Sequence, residues 1–150
     1  MFMRQAVRSL MFPASLLLGA CAAPIQLPKD FLVLEGRDEF QAVTGDDARV
    51  WVREFHEANR APLQFWATAV EHDFTQQRGY DLVAKGEVKN RKGALGAWFE
   101  CAANVRGERV GYLVAIWVHG HDVQVIEFAA RAEVFAARVD SVREALKTVH

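Results

Sequence analysis

"GALGAWFECAANVRGERVGYLVAIWVHGHDVQVIEFAA", residues 93–130, is a run of apolar stretches separated only by the short polar links "RGE" and "HGHD". Links of that length close antiparallel hairpins, because a parallel crossover needs about a dozen residues or more. The run therefore predicts strands over 93–105, 109–119 and 122–130. In "YLVAIWV" both alternate sets are apolar, with Tyr112, Val114, Ile116 and Val118 on one face and Leu113, Ala115 and Trp117 on the other. A strand apolar on both faces lies inside a sheet that is covered on both sides, so a helix is expected on each.

The sequence on either side supplies those helices. Towards the N-terminus, "YDLVAK" (80–85) predicts a further strand, and before it Leu63, Trp66, Val70 and Phe74 recur at helical spacing. Pro62 suits the first turn of that helix, and Gly79 after Arg78 supplies a stop. Earlier still, "FLVLEG" (31–36), "EFQAVT" (39–44) and "ARVWVREFH" (48–56) read as strands, the last two joined by a turn at Gly45, Asp46 and Asp47. Towards the C-terminus, Phe135, Val139, Val142, Leu146 and Val149 form one stripe of a helix from about Ala132 to Val149. Ser141 and Glu144 have the spacing of a capping box, which leaves open one helix or two meeting near Asp140. The predicted fold class is α+β, a twisted, mainly antiparallel sheet of about six strands covered by helices.

The order of a central helix, "RGYDLV", the 93–130 run and a closing "F...V..V...L" helix resembles the PsbP-like α/β/α sandwich, over most of residues 31–149. The resemblance implies a twisted antiparallel sheet between helices, in a family whose members bind partner proteins or membrane complexes. No catalytic motif comes with it, and a fold does not determine a function.

Residues 1–20 divide into a basic start with Arg4 and Arg8, an apolar run from Leu10 to Leu18, and the small residues Gly19 and Ala20. That is the layout of a secretory signal peptide. The apolar stretch is broken by Pro13 and runs into Gln26 and Lys29, too short to remain as a span. Leu18, Gly19 and Ala20 followed by Cys21 resemble the lipobox of bacterial lipoproteins. The resemblance implies signal-peptidase recognition at Leu18, Gly19 and Ala20, diacylglycerol attachment to Cys21, cleavage before it and N-acylation of the new terminus. Two or three acyl chains hold a protein firmly to a bilayer, at about 0.8 kcal/mol for each buried methylene. Ala22 is not the aspartate that retains enteric lipoproteins in the inner membrane, so the resemblance leans towards the periplasmic side of the outer membrane.

The expected organisation is a cleaved segment over 1–20, a lipidated Cys21 and Pro-containing extended tether over 21–30, and one globular domain over 31–150. Removing residues 1–20 leaves 16 basic and 19 acidic residues, net −3, which excludes the basic excess of a nucleic-acid binder. With Cys21 lipidated, Cys101 has no partner for an intrachain disulfide, and packing alone must hold the domain. Four Trp and ten Phe in the chain supply that packing.

Candidate chemistry is sparse. Beyond residue 20 the chain has one serine, Ser141, in a helical segment without a nucleophile elbow, so serine hydrolysis is disfavoured. Cys101 with His56 or His119 is a formal nucleophile and base, but Cys101 alternates with Phe99 and Ala103 on an apolar strand face. His119 and His121 bracket Gly120 and are candidate metal ligands beside Asp122, although no third ligand is signalled and a solvated turn reads better. "AKGEVKNRKGALG" (84–96) is the most basic stretch after the first twenty residues. Its Lys85, Lys89, Arg91 and Lys92 are candidates for contact with anionic lipid or an acidic partner, against a plain solvated hairpin edge. The glycines lack the Gly-Lys-Ser/Thr order of a phosphate loop. Trp51, Trp66, Trp98 and Trp117 are expected in the core, with an exposed binding tryptophan as the alternative.

These residues lead to the expectation of a non-enzymatic, cofactor-free, lipid-anchored envelope protein that binds or supports another envelope component. A small-ligand or cell-wall carbohydrate binder with a pocket between sheet and helices is the alternative, and an enzyme of unrecognised type a second.

Overall fold

The 93–130 run folds as its pattern dictates, into the three longest-paired strands of one antiparallel sheet. In a computed structural model describing residues 22–150, the sheet has seven strands in the order β1-β2-β3-β7-β6-β5-β4. They are β1 (Leu32–Val33), β2 (Phe40–Val43), β3 (Arg49–His56), β4 (Asp81–Lys89), β5 (Leu95–Val105), β6 (Glu108–His119) and β7 (Asp122–Arg131). This is one strand more than the six or so expected. The α+β class and the PsbP-like arrangement hold. The residues of the lipobox reading, Leu18, Gly19, Ala20 and Cys21, lie outside the described residues.

Two-residue hairpins set the register of the long strands. Arg106 and Gly107 close β5 on β6 with φ of +51° and +85°, the doubly left-handed geometry that matches strand twist. β7 then pairs with β3 along eight positions, from Arg49↔Ala129 to His56↔Asp122, and so joins the two meanders into one sheet. β6 lies between β5 and β7, as its doubly apolar pattern requires.

Each face of the sheet carries a helix. α1 (Leu63–His72), continued by a π turn over Asp73–Gln77, places Leu63, Trp66, Val70 and Phe74 against Phe99, Cys101, Val114 and Ile116. α2 (Ala132–Ala145) and a 3-10 turn (Leu146–Thr148) pack Phe135, Val139, Val142 and Leu146 onto Val50, Leu113, Trp117, Ile126 and Phe128. The two-helix alternative near Asp140 is overturned: α2 runs through it unbroken, and the Ser141 hydroxyl donates to the Arg138 carbonyl instead of capping a helix. Among the described residues no helix is long and apolar enough to cross a membrane.

The extended tether expected over 22–30 needs correction as well. Ile25 is 1% exposed and belongs to the α2-side core, with Leu27 packed beside it. Backbone bonds hold the segment along its length: Pro24 accepts from the His150 amide (3.4 Å), the Gln26 amide donates to Thr148 Oγ1 (2.8 Å), and Phe31 donates to Pro28 (3.1 Å). An apolar residue between two prolines has only to reach a core edge to be buried, and the C-terminal turn offers that edge. The free link between Cys21 and the docked backbone is therefore Ala22 and Ala23, both exposed.

Candidate functional site

The basic stretch divides by position along β4. Lys85 sits opposite Phe99 on the α1 face, where its ammonium pairs with Glu71 of α1 at 2.9 Å. Lys89, Arg91 and Lys92 cluster at the far end of the strand, all exposed, and none has a carboxylate within ion-pair distance among the described residues. The loop that carries them is firmly built. Asn90 is 5% exposed, and its Oδ1 accepts from the Lys92 amide (3.0 Å) and the Ala94 amide (2.9 Å). The Arg91 amide donates to the Val149 carbonyl at 2.9 Å, fastening the loop to the C-terminal turn.

The same end of the sheet holds the histidines. His56 Nδ1 lies 3.0 Å from Asp122 Oδ1, and the His56 and His121 rings stack at 5.1 Å. His121 Nδ1 is 3.0 Å from the Glu57 carbonyl, and the β6-β7 register sets His119 opposite Asp122. These contacts tie the β3 exit to the β6-β7 turn, and among the described residues no group of three or more His, Cys, Asp or Glu side chains is arranged to hold a metal. Of the two histidines that bracket Gly120, His121 is held by the Glu57 carbonyl and the His56 ring.

Cys101 is buried opposite Tyr112, and burial pushes its thiol above the ordinary value. His119 lies seven residues further along β6 than Tyr112, about 23 Å away at strand rise, so the Cys101 and His119 pairing is not formed. The polar group beside Cys101 was not foreseen. Tyr112 donates its hydroxyl to Glu127, whose carboxylate also meets Arg53 at 3.1 Å. Burial first, and that hydrogen bond second, raise the Tyr112 phenol far above its ordinary range.

The third feature is aromatic. α1 covers β5 and β6 and leaves the β3 side of the same face open. There Phe55 is 41% and Phe65 56% exposed, each edge-on to the half-buried Trp66, at 5.5 and 5.6 Å. Trp51 and Arg53 share this face by strand alternation, next to Glu127. Of the remaining tryptophans, Trp117 is fully buried and Trp98 lies under the Arg143 guanidinium at 4.7 Å. The signal for this surface was present in "WVREFH", where an aromatic shares its alternate set with an arginine. The volumes between sheet and helices are filled by the two cores, and depressions such as those beside Phe65 and beside Lys85 are open grooves on the surface.

No protein-family model and no curated protein matches the chain by sequence. Solved structures do match by shape. LpqN, involved in cell envelope biogenesis of Mycobacterium tuberculosis, is similar with a TM-score of 0.67 at 11% identity, over 83% of this chain and 79% of LpqN. Cyanobacterial PsbP from Synechocystis has a TM-score of 0.58 at 7% identity, over 88% of this chain and 95% of PsbP. The Saccharomyces cerevisiae Ran-binding protein Mog1p has a TM-score of 0.54 at 12% identity, over 83% and 77%. Chains so different in sequence share a fold, and the chain has the PsbP-like fold.

Proposed function

We propose that this protein is a lipid-anchored, non-enzymatic component of the bacterial cell envelope, attached through Cys21 on the periplasmic side of the outer membrane, whose single α+β domain binds or supports another envelope protein. The observation that carries the binding half is the Phe55, Trp66 and Phe65 step beside Trp51 and Arg53, an exposed aromatic surface at the open side of α1. Aromatic side chains bordered by an arginine are the composition that dominates protein interfaces. The anchoring half rests on the charged, apolar and small-residue zones that precede Cys21. LpqN, a fold relative involved in cell envelope biogenesis, is in keeping with such a role.

Cross-linking in intact cells with mass-spectrometric identification tests the reading. Wild type is expected to capture one envelope protein that is lost both in Cys21→Ser and in the surface pair Phe55→Ala, Phe65→Ala, the latter with an unchanged melting temperature. Capture that survives the aromatic substitutions overturns this surface as the binding site. A Cys21→Ser chain that keeps an acyl label overturns the anchor.

A further inference from the structure

Where the chain enters the domain is joined by backbone hydrogen bonds to a cluster of cations that has no ion-pair partner among the described residues. Pro24 accepts from the His150 amide, and the preceding Val149 carbonyl accepts from the amide of Arg91. One residue of C-terminal backbone thus separates the anchor's exit from the Lys89, Arg91 and Lys92 loop, which Asn90 holds in a defined shape. Across the exit from that loop, the groove containing Pro24 is lined by Asp38, Glu39 and Glu54, with Gln124 at its base. Of these acids Glu39 is engaged by Arg53. Arg60, beside Gly120 of the β6-β7 turn, adds a cation at this end, while Asp122 is occupied by His56.

We propose that the β4-β5 loop is a membrane-docking surface for anionic lipid headgroups: with the anchor inserted, Lys89, Arg91 and Lys92 lie against the bilayer, and the Asp38 and Glu54 flank is tilted away from it. The proposal rests on lipidation of Cys21. Given that, the three residue steps from Cys21 to Pro24, through Ala22 and Ala23, cannot carry the domain more than about 11 Å from the anchored cysteine, so the exit end must lie near the headgroups. Basic side chains held within a Debye length of an anionic surface are attracted to it, and acidic ones are repelled. An acyl chain combined with a basic patch is a general two-signal mode of attachment. The docked pose sends β5 away from the membrane, so the β5-β6 turn at Arg106 and Gly107 stands outermost.

The orientation is measured on the lipidated full chain in vesicles of phosphatidylglycerol and phosphatidylethanolamine containing an acceptor-labelled lipid. A donor dye is placed on Leu95→Cys or on Val105→Cys, both positions 43% exposed and at opposite ends of β5; Cys101 stays unlabelled because it is buried. Energy transfer is expected to be about three times higher from 95 than from 105, since ten strand residues separate them by about 33 Å. The difference is expected to shrink in phosphatidylcholine, in the triple variant K89Q, R91Q, K92Q, and in about 1 M salt, where the Debye length is about 3 Å. Equal transfer from the two positions, or a difference indifferent to all three changes, overturns the proposal. So does a triple variant that keeps its orientation but loses a cross-linked acidic protein in cells. The mass of the N-terminal peptide separates the two failures: an unmodified Cys21 removes the anchor and this inference together, whereas an acylated Cys21 with equal transfer removes this inference alone.

Discussion

Gly111 of β6 lies directly beneath the ring of Phe135 of α2: a Cβ on Gly111 would stand 2.1 Å from Phe135 Cγ. Phe135 stacks in turn on Phe128 of β7, with ring centroids 5.1 Å apart. The missing side chain is what lets the first turn of α2 sit flat on the sheet, immediately after β7 ends at Arg131.

Gly111→Ala is therefore expected to lower stability by about 1–3 kcal/mol, because the clash meets the base of a packed ring and not a flexible tip. Urea denaturation of the purified domain checks this. An unchanged midpoint would mean that α2 can lift without cost.

Ile25 belongs to the core, so Ile25→Ala is expected to cost about 2–5 kcal/mol, as for any large aliphatic truncation at 1% exposure. Thermal unfolding of the variant measures it. A change within a few tenths of a kcal/mol would restore 22–30 to the status of a tether.

Tyr112 sets the alkaline side of the stability profile. Its phenol is raised in the folded state, by burial and then by its hydrogen bond to Glu127, while in the unfolded chain it ionises near pH 10. Above that pH the unfolded state releases a proton that the folded state keeps, so this contribution, complete below about pH 10, declines as pH rises further. Tyr112→Phe is expected to flatten the fall in melting temperature between pH 9 and 11. At neutral pH it costs about 1 kcal/mol for the lost hydrogen bond, Glu127 keeping Arg53.

Asp46 sets part of the acid side. The Thr44 hydroxyl first, and the Arg138 guanidinium second, hold its carboxyl below the ordinary value. Arg138 also bonds Asp30, so one guanidinium links α2, the β2-β3 loop and the N-terminal segment. The contribution is present above the unfolded value near pH 4 and is lost as pH falls through the lower folded value. A melting temperature that drops less steeply from pH 5 to 2 in Asp46→Asn than in wild type is the expected result.

Particular residues explain why some of this was legible. In "YLVAIWV" each residue reports its own face, since the strand period is two and both faces are dry, so β6 and its two helix layers followed from the string itself. The Leu63, Trp66, Val70 and Phe74 stripe was equally direct. Ile25 was not, because two apolar residues, Ile25 and Leu27, confined between Pro24 and Pro28 are too short a run to show a period. Lys85 is close to Lys89, Arg91 and Lys92 along the chain, yet it meets Glu71 of α1, while the other three gather at the loop end of β4.

The sequence by itself determined the local alternation, the hairpin turns and the helix stripes, because these depend on neighbours within a few residues. It also determined the layout of the first twenty residues that leads to Cys21. Tertiary structure alone decided that β7 returns to β3, that Ile25 closes the α2-side core, and that Pro24, His150 and Arg91 meet at one end of the sheet. Those outcomes depend on pairings between residues as much as 126 positions apart, as from Pro24 to His150, where no local period exists and only the shape of the buried surface selects the partner.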